Sequence, residues 1–145
     1  MIGLLQRVSE ARVEVEFRSI ADIKTGLIVF IGVEKGDNHA NADRLLHKLL
    51  GYRVFPDRDG KMNLSLKDIN GDLLLVPQFT LPADTRKGMR PSFSTAEAPD
   101  AGKELFNYLL TQARQNHASV EAGIFGADMK VHLVNEGPVT FWLKV

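Results

Sequence analysis

The chain has 145 residues, of which 44% are hydrophobic and 25% charged, a composition typical of a globular protein with one domain, residues 1–145. Its 18 basic and 18 acidic residues cancel, so any contact with nucleic acid has to come from a local basic patch. The absence of cysteine excludes disulfides and thiolate metal sites. No apolar run approaches the ~20 residues of a membrane span, and the first residues lack a signal-peptide pattern. We therefore expect a cytoplasmic protein with no membrane partner.

The first third of the chain predicts three strands and a helix. Residues 1–8 are mostly apolar, residues 12–18 alternate between apolar and charged, and residues 27–33 form a continuous apolar run typical of a strand buried on both faces. Asp37-Asn38 supplies a candidate helix N-cap, and Gly51 is a candidate stop. The apolar stripe between them has helical spacing and consists of Ala42, Leu45, Leu46, Leu49 and Leu50.

A short buried strand is predicted at residues 73–76, and it leads directly into polar residues. Pro77 has no N–H, so the regular hydrogen-bond ladder is expected to stop or bulge there. The N–H groups of Gln78, Phe79 and Thr80 would then be free to bind an anion or a polarised carbonyl. The alternative is that a strand simply meets a loop at this point.

The second half predicts a long polar connection, a second helix and further strands. Residues 82–99 form the connection, which carries Arg86, Lys87 and Arg90. The helix begins near Pro99 and has a stripe of Leu105, Phe106, Leu109, Leu110 and Ala113. Strands are expected at residues 52–55, 119–125, 130–135 and 139–145. The pattern predicts an α/β fold in which two amphipathic helices pack on a mainly antiparallel sheet system.

Few side chains in the sequence form a recognisable catalytic pattern. The four histidines have no metal-ligand spacing, and we interpret them as surface or structural residues. Thr80 has no histidine, lysine or carboxylate beside it in sequence to activate its hydroxyl, so capping the loop is the simpler role. Gln78 is equally suited to binding a substrate and to fixing the turn.

Four further residues have both a structural and a functional interpretation. Arg7 lies in an apolar strand, where its guanidinium could anchor a buried carbonyl or carboxylate. Gly137 and Pro138 are typical of an ordinary turn. Met129 could line a pocket with Phe79, although core packing is the default for both.

Several segments together resemble the D-aminoacyl-tRNA deacylases, also called D-tyrosyl-tRNA deacylases. The family has a Gln-Phe-Thr segment, found here at residues 78–80, and an Asn-x-Gly-Pro-x-Thr segment, found at residues 135–140. Residues 88–93, 60–63, 6–8 and 1–2 extend the resemblance over essentially the whole chain. One departure is that Pro77 replaces the serine usual in the family, so no role of that hydroxyl can operate here.

The resemblance implies a three-layer α/β/β fold and an esterase that frees tRNA from a D-amino acid, and from mischarged glycine, at its 3′ end. It implies that N–H groups near Phe79 and Thr80 hold the ester carbonyl, with Gln78 beside them. The terminal 2′-hydroxyl of the tRNA assists. It also implies that a cis Gly137–Pro138 bond screens chirality, in a homodimer where this segment enters the partner's pocket. No metal or organic cofactor is implied. Independently of the resemblance, the charges of Arg86 and Lys87 could meet phosphates near the acceptor end of tRNA, although solvated surface charges are the default interpretation.

Two other functions fit the residues. One is a binding or editing module that grips aminoacyl ends without hydrolysis, since no catalytic acid or base is visible. The other is a small-molecule esterase that uses Thr80 as its nucleophile.

Overall fold

The computed structural model describes residues 1–145 and contains eight strands and three helices. The strands are β1 (Ile2–Val15), β2 (Arg18–Ile23), β3 (Gly26–Gly32), β4 (Phe55–Pro56), β5 (Met62–Leu64), β6 (Asp72–Pro77), β7 (Val120–Ala122) and β8 (Lys130–Lys144). The helices are α1 (His39–Gly51), α2 (Leu66–Ile69) and α3 (Pro99–Asn116). The predicted α/β class is confirmed. No helix is both long enough and apolar enough to cross a membrane.

The long strand β1 organises the sheet. Strands β3 and β2 follow one another along one edge of β1, from Ile2↔Gly32 to Val15↔Arg18, and β8 pairs along its other edge. The prediction of two strands over residues 1–18 was wrong, because pairing with β8 continues from Val8 to Glu10 and carries β1 through the gap between β3 and β2 on its other edge. Phe17, predicted on the apolar face, lies in the β1–β2 turn with φ +64° and is 93% exposed.

The sheet is mixed rather than purely antiparallel. All pairings of β1 are antiparallel, whereas β6 runs parallel to β3 on one side and to β7 on the other. The parallel pairs arise because α1 lies in the connection from β3 to β6, and α3 lies in that from β6 to β7. The continuous apolar runs of β3 and β6 reflect burial on both faces, as expected of parallel strands.

Two hydrophobic cores lie on opposite faces of β3 and β6. On one face, Leu73 and Leu75 pack with the apolar stripes of α1 and α3. On the other, Leu74 and Val76 pack with apolar residues of β2 and the second half of β1. The sheet thus folds back over itself, giving the helix, sheet and sheet layers that the sequence predicted.

The helix predictions were correct, whereas the shortest elements were missed. Asn38 caps α1 in a reciprocal capping box, and all five predicted stripe residues are buried. In α3 the predicted stripe is buried except for Leu110, which is half-buried. The predicted strand at 52–55 is reduced to the first residue of β4, and β5 and α2 have only three and four residues, too few for a periodic signal.

Gly26 allows β3 and β6 to pair, and its substitution tests that close approach. A Cβ at Gly26 would lie 2.0 Å from the carbonyl oxygen of Asp72, so Gly26→Ala must push two paired backbones apart. We expect a loss of about 3 kcal/mol or more in unfolding free energy, measured by urea denaturation. Gly51→Ala is the control, because Gly51 ends α1 with open space around it. Equal stabilities of the two variants would contradict this account.

Candidate active site

The end of β6 is set by its pairing with β3. Pro77 pairs with Ile31, and the Gln78 N–H donates to the Ile31 carbonyl at 2.8 Å. The prediction that the Gln78 N–H is free was therefore wrong. Successive residues of a strand direct their N–H groups to opposite neighbouring strands. Because the Gln78 N–H points to β3, an N–H at residue 77 would point to β7. The pairing of β6 with β7 already stops at Leu75, so no bond is lost there. Proline consequently fits at this position without breaking the ladder to β3.

The next two N–H groups, those of Phe79 and Thr80, donate to no acceptor in the protein. The chain turns here, because Leu81 N–H donates to Gln78 O and Ala83 N–H donates to Thr80 O. Phe79 and Thr80 are both exposed. Successive backbone donors that face no internal acceptor are suited to bind an oxygen that gains negative charge.

The Thr80 hydroxyl has one side-chain partner, the amide of Gln78, which donates its Nε2 hydrogen to Thr80 Oγ1. An amide cannot accept a proton at neutral pH, so this partner does not activate the hydroxyl as a nucleophile. The pair ties Gln78 and Thr80 together across the exposed turn. Of the two roles considered for Gln78, the structure therefore shows turn fixation directly.

Pro77 packs near Met129 in the place where the family has serine. A Cβ built on Gly123 would lie 2.8 Å from Met129 Sδ and 3.3 Å from Pro77 Cδ, so these three residues are close neighbours. Met129 is partly buried and packs against the second core. Met129 thus lies close to Pro77 at the end of β6.

Gly137 and Pro138 interrupt β8 near its middle, and their peptide bond is cis, as the resemblance implies. The predicted strands 130–135 and 139–145 flank this interruption. Arg7 Nε donates to the Glu136 carbonyl at 3.1 Å, and Arg7 Nη1 donates to the Val54 carbonyl at 2.6 Å. Arg7 thus fastens the start of the Gly-Pro segment, defined here as residues 136–139, to the connection between α1 and β4.

A neutral network fastens the other flank of the Gly-Pro segment. Asn135 Oδ1 accepts from the Val139 N–H at 3.0 Å, and Asn135 Nδ2 donates to Thr140 Oγ1 at 2.9 Å. Gln6 Nε2 donates to the same hydroxyl at 3.1 Å. The sequence analysis missed Gln6, Asn135 and Thr140 as supporting residues, although all three belong to the segments that carry the family resemblance.

The fold does not bring the two halves of the site together within one chain. The end of β6 and the Gly-Pro segment are separated by β3 and β1, which is three strand spacings or roughly 14 Å. They are also offset along β1 from near Gly3 to Arg7, so their distance in a flat sheet is roughly 20 Å.

The histidines lie outside both halves. His117 is buried and its Nε2 lies 2.6 Å from the Gly71 carbonyl, and His39 stacks on Tyr108. His132 Nε2 lies 3.3 Å from Glu14, a carboxyl whose pKa is lowered mainly by a hydrogen bond from Arg12. His47 is exposed on α1.

The connection at residues 82–99 forms a hairpin-like loop beside Phe79. Asp84 and Ser92 pair across its base, and the Phe79 and Phe93 rings lie 5.3 Å apart between centroids. Arg86 donates Nε and Nη2 to the two Asp84 oxygens at 2.9 and 2.6 Å. These bonds lower the pKa of Asp84 to about 2, so the pair stays charged at neutral pH.

Comparison with known proteins agrees with this architecture. Residues 4–144 match the family model described as D-Tyr-tRNA(Tyr) deacylase. A D-aminoacyl-tRNA deacylase of Pseudomonas putida is 64% identical over 145 residues, covering 100% of both chains. One from Pseudomonas fluorescens is 61% identical over 144 residues, covering 99% of both chains.

Solved structures have the same fold. A structure titled c-Myc DNA Unwinding Element Binding Protein superposes with a TM-score of 0.96 at 34% identity, covering 100% of this chain and 99% of that one. A probable eukaryotic D-amino acid tRNA deacylase superposes with a TM-score of 0.84 at 18% identity, covering 99% and 98% of the two chains. The second likeness supports the fold alone.

Backbone donors without a neighbouring base are suited to stabilise an oxyanion by position alone. The family match spans nearly the whole chain, and the identities extend from end to end. The chain belongs to the D-aminoacyl-tRNA deacylases, and it is accordingly an enzyme, a hydrolase.

Thr80→Ala is expected to keep most of the deacylase activity, because the only partner of the hydroxyl is an amide. We expect kcat/KM to fall less than about tenfold, whereas removal of an obligatory nucleophile costs several orders of magnitude. The measurement is single-turnover hydrolysis of D-tyrosyl-tRNA, with Thr80→Ser as the variant that retains a hydroxyl. The prediction would be refuted if a folded Thr80→Ala protein hydrolysed the substrate no faster than the uncatalysed reaction. A trapped acyl-Thr80 adduct in the wild type would also refute it.

Proposed function

We propose that the protein hydrolyses the ester between a D-amino acid, or mischarged glycine, and the 3′-terminal ribose of tRNA. The observation that carries the proposal is the pair of N–H groups at Phe79 and Thr80, exposed and without an acceptor. The similar proteins of Pseudomonas putida and Pseudomonas fluorescens are D-aminoacyl-tRNA deacylases, which supports the D-amino acid part of this proposal. Aminoacyl-tRNA is used in translation, so the proposed place of action is the cytoplasm.

In the proposed reaction, water adds to the ester carbonyl carbon and the carbonyl oxygen becomes an oxyanion. The N–H groups of Phe79 and Thr80 stabilise that charge more strongly than they bind the uncharged carbonyl, which lowers the barrier. The tetrahedral intermediate then collapses, the ribose oxygen leaves with a proton and the amino acid is released. The 2′-hydroxyl of the terminal nucleotide helps to transfer this proton, so no ionisable side chain is required.

The proposed chirality screen is the Gly-Pro segment. Its flanks are fixed by Arg7 on one side and by Asn135 on the other, so its carbonyls are held in place. Gly137 has no Cβ, which allows a ligand to come close to its backbone. Rigid backbone atoms around the substrate Cα would clash with the side chain of an L-amino acid, while a D-amino acid or glycine would fit.

The proposed assembly is a homodimer in which each chain lends its Gly-Pro segment to the other's Phe79–Thr80 turn. The positions of these segments within one chain support this arrangement, because β3 and β1 lie between the end of β6 and the Gly-Pro segment of β8. Residues 136–138 are exposed in the single chain, as a segment that enters a partner should be.

The two alternative functions are less well supported. A Thr80-dependent esterase needs a base beside the hydroxyl, and Thr80 contacts an amide instead. A module that binds without hydrolysis would have no need for two donors directed at an oxyanion. The relatives with end-to-end identity are also named as deacylases rather than as binding proteins.

Purified protein should release D-tyrosine from D-tyrosyl-tRNA and leave L-tyrosyl-tRNA intact, with chelator present throughout. The reason is that selection occurs by backbone clash and the proposed chemistry needs no metal. Release is measured by acid precipitation of labelled aminoacyl-tRNA. Equal release of both enantiomers, or loss of activity with chelator, would contradict the proposal.

Gly137→Ala should lower D-substrate turnover at least tenfold, weaken the rejection of L-substrates, or both. Gly137 has φ +129°, and its new Cβ would lie 2.8 Å from Val139 Cγ2 and 3.0 Å from Arg7 Nη2. The substitution therefore moves the proposed screen, although the affected residues are partly exposed and the fold should survive. The D/L ratio of kcat/KM is the measurement, with Gly36→Ala as a positive-φ control in open space. Unchanged rate and selectivity would exclude Gly137 from the screen.

Light scattering of the protein at micromolar concentration should give twice the chain mass of 16.1 kDa. The physical reason is that the proposed site needs segments from two chains. A fully active protein with the mass of a single chain would refute the shared site, while leaving the hydrolysis itself untouched.

A further inference from the structure

The exposed aromatic rings of Phe79 and Phe93 are not used by the reaction described above. Phe79 is 62% exposed and Phe93 is 44% exposed, and their rings contact each other at an interplanar angle of 47°. Two large apolar side chains that contact each other while each remains half open to water form a surface suited to a flat ligand. This pair is named here the aromatic platform.

The position of the aromatic platform limits what can occupy it. Phe79 contributes its ring to the platform and its N–H to the donor pair, so the platform lies within one residue of the proposed oxyanion position. In an aminoacyl-tRNA the ester and the terminal base are attached to the same ribose. Placing the ester carbonyl at the Phe79 and Thr80 N–H groups therefore brings the terminal base within one nucleoside length of both rings.

The loop tip at residues 85–91 has the charge expected for the adjoining nucleotides. It contains Arg86, Lys87 and Arg90 and no acidic residue. Arg86 is held by both oxygens of Asp84, which keeps its charge at the base of the loop. Lys87 and Arg90 are exposed and form no ion pair, so they can bind phosphates. Arg90 is thus added to Lys87 as a phosphate-binding candidate, and the sequence expectation that Arg86 meets phosphate stays a prediction.

We propose that the loop of residues 82–99 seats the single-stranded 3′ end of the tRNA. The aromatic platform stacks the terminal base, and Lys87 and Arg90 bind the phosphates that precede it. This inference rests on the proposed hydrolysis and adds the residues that recognise the RNA part of the substrate. Stacking is tolerant of base identity, so the platform recognises the unpaired end as such.

Phe93→Leu tests the platform, because leucine keeps an apolar side chain but has no aromatic face. We expect KM for D-tyrosyl-tRNA to rise about tenfold with kcat within about twofold, and Phe93→Trp to restore KM. Met89→Ala is the matched control, since Met89 is a fully exposed apolar residue on the same loop and should leave KM unchanged.

Two further substrates separate stacking from other roles of Phe93. When the terminal nucleotide of D-tyrosyl-tRNA is abasic, KM of the wild type should rise by the same factor of about ten. Phe93→Leu should not raise KM for that substrate any further. D-alanyl-tRNA should show the same tenfold effect as D-tyrosyl-tRNA. If Phe93→Leu raised KM for D-tyrosyl-tRNA but not for D-alanyl-tRNA, the rings would contact the amino acid rather than the base. If it raised KM for the abasic substrate as much as for the intact one, Phe93 would have a structural role. Either result overturns the proposal, whereas a wild type inactive on every substrate would instead refute the proposed hydrolysis.

The phosphate contacts are tested by the salt dependence of KM. Each phosphate contact on a single strand contributes about 0.7 to the slope of log affinity against log salt. Lys87→Ala and Arg90→Ala should each reduce that slope by about this amount. Arg58→Ala removes an exposed charge from a distant turn and should leave the slope unchanged. Equal reductions in all three variants would show a general charge effect and would contradict a phosphate site on the loop.

Discussion

One hydrogen bond determines where the free backbone donors of Phe79 and Thr80 begin. The Gln78 N–H donates to the Ile31 carbonyl, and this is the last bond of the ladder that joins β6 to β3. The donors that follow it turn away from the sheet and have no partner. The position of that bond is itself fixed by the parallel register, which Gly26 permits by lying against Asp72. A shift of one residue would pair the Phe79 N–H instead and change which donors are free.

Uncharged side chains hold most of the Gln78–Thr80 turn and of the Gly-Pro segment in place. Gln78 holds Thr80, and Gln6, Asn135 and Thr140 hold one side of the Gly-Pro segment. Arg7 is the exception, and it donates to carbonyls rather than to a carboxylate. An aminoacyl ester is already reactive, so the protein has to orient it and stabilise one developing charge, which fixed dipoles can do. The absence of a conventional acid–base pair in the sequence is consistent with this chemistry.

Sequence patterns predicted the parts of the fold that depend on periodic burial. Both amphipathic helices and the buried strand at residues 73–76 could be predicted because local spacing determines which face packs inward. The continuity of β1 could not be predicted, since the pairing that carries it from Val8 to Glu10 comes from β8, which is distant in sequence. The partner of the Gln78 N–H was missed for the same reason. The segments at 78–80 and 135–140 were found through family resemblance, whereas pairing of Arg86 with Asp84 depends on a side-chain geometry that no motif encodes.

The use of backbone N–H groups at Phe79 and Thr80 also affects how mutation acts on this enzyme. Every amino acid except proline supplies the same N–H group, so almost any codon change at these two positions leaves the donors in place. Loss of these two donors by mutation must therefore arise mainly from changes elsewhere that shift the backbone, such as those in β3 and β6. If the proposed oxyanion role holds, the catalytic rate should depend on the integrity of the β3–β6 pairing more than on the side chains at the two donor positions.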